Sequence, residues 1–102
     1  MKPLRISYLA EADLDEIWLY VAKDRPAVAD QLMDRFQEHF ILLSENPELG
    51  ESRKELAIDL RQFTMGSYVV LYHYRDSRVE IVRIVHAARD IPKEYRRRLL
   101  GE

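Results

Sequence analysis

The sequence predicts an α+β domain in which an antiparallel helical hairpin packs on a mostly antiparallel sheet. Three observations carry that prediction. Between Glu11 and Leu43 the apolar residues recur with a helical period. From Leu60 onward they cluster instead in β-branched and aromatic runs. Proline-containing breaks, at Asp24-Arg25-Pro26 and Asn46-Pro47 with Gly50 beyond, separate the periodic segments.

Taken in order, Leu4 to Leu9 reads as a short first strand. Leu14, Ile17, Trp18, Val21 and Ala22 form one helical face, and Trp18 is expected in the core. Glu11, Asp13, Asp15 and Glu16 fall in the first turns, where negative charge suits the helix dipole. Pro26 suits the first position of a second helix. That helix presents Val28, Leu32, Met33, Phe36, Phe40 and Leu43, and Asn46-Pro47 ends it. Three strands follow: Leu60 to Thr64, Tyr68 to Arg75, and Val79 to His86. Met65-Gly66-Ser67 and Asp76-Ser77 supply the turns between them. Ile91, Tyr95 and Leu99 suggest an optional short terminal helix capped by Asp90. The predicted order is β-α-α-β-β-β, in a single domain spanning residues 1–102.

At 102 residues and 12.1 kDa the chain is one domain's worth of protein. It has no cysteine, and histidines at 39, 73 and 86 lack metal-ligand spacing, so neither a metal nor another cofactor is expected. No apolar run is long enough to span a bilayer, and the first residues lack a signal-peptide core, so the expected location is cytoplasmic. The net charge of −2 is unevenly distributed. Residues 1–50 carry ten acids and five bases, whereas residues 51–102 carry eight acids and eleven bases. Arginine supplies twelve of the sixteen bases, which suits recognition of carboxylate or phosphate.

The later strands are apolar on both faces. Tyr68, Val70, Tyr72 and Tyr74 alternate with Val69, Leu71 and His73. In the last strand Val82 and Ile84 are expected on one face, and Val79, Ile81 and Val85 on the other. One helical hairpin covers one face only. Either the residues in the fifties and the terminal helix cover the second, or a partner protein does; the reading favours a partner.

Arg53, Arg61, Arg83, His86 and Arg89 are the residues with chemical potential. RNA cleavage through the 2′-hydroxyl needs a base, a phosphate clamp and an acid. His86, Glu51 or Glu55 could supply acid–base function, Arg61 and Arg83 the clamp, and Tyr95 a stacking surface. The bland alternatives are an Arg83 pair with Glu80 or Glu55, and a structural His86 at a strand end.

Several segments recur together in one known group. They are Ala12 to Tyr20, Asn46-Pro47-Glu48-Leu49-Gly50, Leu60-Arg61-Gln62-Phe63, Tyr68 to Tyr72, and Val79 through His86-Ala87-Ala88-Arg89-Asp90. In these the chain resembles the ParE toxins of bacterial type II toxin–antitoxin modules, within the RelE/ParE superfamily. The resemblance implies a small ParD-like antitoxin, a hetero-oligomer, and DNA contact only indirectly through the antitoxin. It also implies one of two activities. ParE toxins are associated with poisoning DNA gyrase, and RelE toxins with cleaving mRNA on the ribosome. A slightly acidic chain with only four lysines is poorly suited to ribosomal RNA, so stoichiometric gyrase inhibition without catalysis leads. RelE-type endonuclease action through Arg61, Arg83 and His86 is the alternative. The expected target surface is Arg83, His86, Arg89, Arg96, Arg97 and Arg98. The expected antitoxin surface is Leu14, Trp18, Val69, Leu71, Arg61 and Arg83.

Overall fold

The computed structural model describes residues 3–88. Its elements run β1 (Leu4–Ile6), α1 (Tyr8–Ala22), α2 (Pro26–Glu45), β2 (Glu51–Ser52), β3 (Leu60–Met65), β4 (Tyr68–Arg75) and β5 (Arg78–His86). The sheet order is β1-β5-β4-β3-β2. Among the described residues only β1 and β5 pair in parallel, because the whole helical hairpin lies between β1 and the later strands; the remaining pairs are antiparallel.

The first strand is shorter than the sequence suggests. Ser7 ends it by capping α1, its hydroxyl accepting from the Ala10 amide at 3.1 Å. The helix therefore begins at Tyr8 rather than near Glu11. Pro26 opens α2 as expected, and Asn46 closes it. The two-residue β2 has too little periodicity to be visible in sequence. The proposed terminal helix lies outside the described residues.

The main core lies between the hairpin and the sheet. Phe36 and Phe40 from α2 meet Leu14, Val70, Tyr72, Ile81 and Ile84 there. Burying a large apolar side chain of this kind contributes roughly 1.5–3 kcal/mol. Val28, placed on the α2 core face by its spacing, is exposed; Ala29 is buried instead. Trp18 is half-buried rather than core, because its indole N–H reaches across to donate to the Asp30 carboxylate at 2.8 Å.

A β-bulge alters the facing of β5. Leu71 pairs with Arg83 and Tyr72 with Ile81, so Val82 has no partner across the ladder. The simple alternation fails at that point. Val79, Ile81 and Ile84 all pack in the main core, while Val85 joins a second cluster with Leu60, Val69 and Leu71. Leu56 and Ala57 pack against this second cluster. The chain thus covers part of its second apolar face with the segment leading into β3, as one of the two sequence alternatives required.

Two turns define the β3–β4–β5 meander. Gly66 has φ +57°, at the first of the two residues linking Met65 to Tyr68, the position of a type II′ turn where glycine is favoured. Asp76 and Ser77 have φ of 53° and 60°, so the β4–β5 hairpin closes with both central residues left-handed and without a glycine.

Candidate functional site

Beyond Ile6 there is no further β1 strand to pair with β5, and α1 replaces it. The Ser7 amide donates to the Ile81 carbonyl, and the Ser7 hydroxyl donates to the Val82 carbonyl, both at 2.9 Å. Nearly two turns later, Asp13 Oδ2 accepts the Ile84 amide at 2.9 Å. The same carboxylate takes Arg83 Nε at 2.8 Å and Nη2 at 2.6 Å. Both side chains of this pair are at most 5% exposed. This bidentate geometry satisfies a buried guanidinium and a backbone amide with one carboxylate. Arg83 therefore pairs with Asp13, not with Glu80 or Glu55. Glu80 is held by Arg5 and Glu55 by Arg53.

Arg61 performs a related task at the other side of the sheet. Its Nε donates to the Gly50 carbonyl at 3.0 Å, and Nη2 to the Glu48 carbonyl at 3.3 Å. Tyr72 secures the same segment, donating to the Pro47 carbonyl at 2.7 Å and accepting the Gly50 amide at 2.9 Å. Burial pushes the Tyr72 phenol up, against smaller opposing effects from Gly50 and Arg61. A Cβ on Gly50 would lie 2.5 Å from the Tyr72 hydroxyl and 2.6 Å from the Gln62 carbonyl. Only glycine fits so close an approach.

A groove of about 610 Å³ opens between α1 and the far end of β5. Glu16, Ile17 and Tyr20 of α1 form one wall; Tyr68, His86 and Ala88 line the opposite side. His86 is exposed. Its ring meets Tyr68 edge-on at 5.6 Å, and its Nδ1 accepts the Ala88 amide at 3.2 Å. That bond leaves Nε2 as the ring's remaining hydrogen-bonding nitrogen. Burial raises the Tyr68 phenol, with a smaller contribution from nearby Tyr20.

The residues chosen from the sequence are thus dispersed. Arg61 and Arg83 lie on strands separated by β4, each guanidinium bonded to protein oxygens, and His86 lies at the end of β5. Arg53 donates to Glu55 at 2.6 Å and also to Gln62. The Arg53 hydrogen bond holds the Glu55 carboxyl below the usual range, which makes it a weaker base. Glu51 is exposed on β2. Leu14, Val69 and Leu71 are buried within the chain and underlie its surface rather than form it. Arg89, Tyr95, Arg96, Arg97 and Arg98 lie outside the described residues. Among the described residues no group of three His, Cys, Asp or Glu could hold a metal ion, and no helix is long and apolar enough to cross a membrane.

Sequence reasoning missed Asp13, Ser7, Tyr20 and Tyr68 as parts of this region. Asp13 looks like an ordinary first-turn acid, and nothing local marks its partner seventy residues away. Tyr20 is a large aromatic lying off the α1 apolar stripe, which is its signal in the sequence, and the structure leaves it 77% exposed.

Comparison with known proteins accounts for this arrangement. The family model for the ParE toxin of the type II toxin–antitoxin system, parDE, matches residues 4–91. The chain is 38% identical to Toxin ParE1 of Caulobacter vibrioides over 89 residues, covering 84% of this chain and 90% of that protein. It is 34% identical over 83 residues to Toxin RelE2 of the same organism, covering 81% and 92% respectively. Its fold matches a solved chain from the chromosomal ParDE TA system of P. aeruginosa with a TM-score of 0.72. That match has 21% identity and covers 84% of this chain and 96% of the other. With the family model spanning almost every described residue, the chain belongs to the ParE toxin family of type II toxin–antitoxin systems.

Proposed function

We propose that this ParE-type toxin arrests bacterial growth by stoichiometric binding to DNA gyrase in the cytoplasm, and that a ParD-like antitoxin neutralises it. The observation carrying this reading is the commitment of both candidate phosphate-clamp arginines. Arg83 is buried against Asp13, and Arg61 holds the carbonyls of Glu48 and Gly50. A nuclease clamp needs guanidinium donors aimed at the scissile phosphate, and the Nε and Nη2 of both arginines are instead bonded to oxygens of the chain itself. Under this reading His86 and the chain beyond it, including Arg89 and Arg96 to Arg98, form the target surface. Arg83 supports that surface from beneath.

The antitoxin would cover the helical hairpin. Leu19, Tyr20, Ile41 and Leu42 expose apolar surface there, beside the half-buried Trp18 and above Leu14. Arg61, Val69 and Leu71 would underlie the neighbouring sheet contact. Apolar groups exposed on a small domain favour association with a partner.

The second reading, ribosome-dependent mRNA cleavage, is kept by the 34% identity to Toxin RelE2. Pulse labelling after induction without antitoxin separates the two. Under the gyrase reading, DNA synthesis falls first and His86→Ala reduces toxicity only modestly. Protein synthesis collapsing first, with His86→Ala abolishing the effect, would establish the nuclease instead.

A further inference from the structure

The open hairpin tip, at the other end of β5 from His86, presents a charge arrangement that the folded chain only partly neutralises. The register places Arg75 directly opposite Arg78, and Glu80 between His73 on β4 and Arg5 on β1. Directly opposed residues, and those two apart along a strand, share a sheet face. Arg5, His73, Arg75, Arg78 and Glu80 therefore lie together on the face away from the helices. Their neighbours Leu4, Tyr74 and Val79 pack into the main core on the other face.

Among the described residues only Arg5 of these cations has an ion-pair partner, Glu80 at 3.3 Å. Arg75 and Arg78 are exposed and make no ion pair or hydrogen bond through their side chains among the described residues. Like charges directly opposed across a ladder are destabilising. His73 Nδ1 is buried there and also lacks a hydrogen-bond partner. The five side chains border a shallow cleft of about 470 Å³ that Asp76, Pro3, Leu4 and Val79 also line, so its arginines outnumber its two acids, Asp76 and Glu80, by one.

We propose that this patch binds the phosphodiester backbone of a nucleic acid. Arginine forks match phosphate oxygens, and an anion between Arg75 and Arg78 would turn their repulsion into attraction. A protein partner is less suited to the patch. Apart from Pro3 its exposed side chains are all charged, and specific protein interfaces are built around an apolar centre. Nucleic acid can be held by charge alone. The low overall charge of the chain does not oppose this, because the excess acids lie in residues 1–50 while Arg75 and Arg78 sit together on one hairpin. This contact would be direct, and it does not depend on which cellular target the toxin inhibits.

The test measures binding of the full chain to a short fluorescein-labelled DNA duplex by anisotropy across a salt series. Two arginine–phosphate contacts, from Arg75 and Arg78, predict a slope of log K against log salt of about −2. Replacing Arg75→Gln and Arg78→Gln together should weaken binding about tenfold or more and make the slope shallower by about 2. The melting temperature should hold or rise, since the opposed charges are gone. Arg25→Gln with Arg35→Gln on the helices should leave affinity unchanged. Wild-type affinity in the Arg75/Arg78 variant would overturn the proposal, as would an equal loss in the helix variant. Equally tight, Arg75- and Arg78-dependent binding of a polyglutamate peptide would overturn it in favour of an acidic protein partner.

Discussion

Toward one end of β5, Arg83 is sealed beneath α1 with its Nε and Nη2 on Asp13. At the other end Arg78 stands in solvent facing Arg75, with no carboxylate bonded to either. The same side chain on the same strand therefore meets opposite requirements. Burial removes water from an ion, so a buried guanidinium persists only with a partner of good geometry. Exposure leaves water and salt to solvate and screen the charge, so an opposed pair is tolerated at modest cost. The buried arginine is consequently a poor candidate for function and a strong one for stability, and the exposed pair is the reverse.

The sharpest way to break this comparison is to remove the buried carboxylate. Asp13→Ala should destabilise the fold by about 3–5 kcal/mol, because Arg83 is left charged and unpaired and the Ile84 amide loses its acceptor. Urea unfolding measures the loss. The double replacement of Asp13→Leu with Arg83→Met should cost less than Asp13→Ala alone. A loss below about 1 kcal/mol for the single change, the range of exposed pairs, would erase the distinction between the two ends.

At the exposed end the expected effect is smaller and of opposite sign. Arg78→Glu converts the opposed like charges into an attractive cross-strand pair and should stabilise by about 0.2–1 kcal/mol at low salt. The gain should shrink as salt is added. Thermal unfolding at two ionic strengths checks both statements.

The smallest effect concerns His73 beside the same tip. Burial, and then Arg75, hold its pKa below the usual histidine value, while Asp59 and Glu80 oppose the shift. As pH falls, the unfolded chain takes up this proton first. The His73 contribution to stability is thus present above about pH 6.5 and is lost as pH falls through the unfolded value toward the folded one. His73→Gln should flatten that part of the melting-temperature profile; an unchanged profile would remove His73 from the account.

Much of the fold was legible because its signals are local. Pro26 and Asn46 bracket α2 by their own backbone preferences. Tyr68–Arg75 emerges as one strand because β-branched and aromatic side chains crowd into eight residues. The register errors have a specific origin. Val82 is the extra residue of a bulge, and one inserted residue reverses the facing of all that follow it. The site was less legible. The sequence singled out Arg61, Arg83 and His86 as chemically interesting but gave no means of finding Asp13, Gly50 or Tyr72 as the groups that occupy or surround them. Each of those contacts joins residues from distant parts of the chain.

By itself, then, the sequence determined the type and order of every described element except the two-residue β2, the helical hairpin and the presence of two apolar sheet faces, because periodicity and turn chemistry act over a few residues. The family resemblance was also carried by short segments in order. Only the tertiary structure decided which arginines are available. Whether a charge is buried, paired or free depends on elements brought together from tens of residues apart, and on desolvation that no local pattern records.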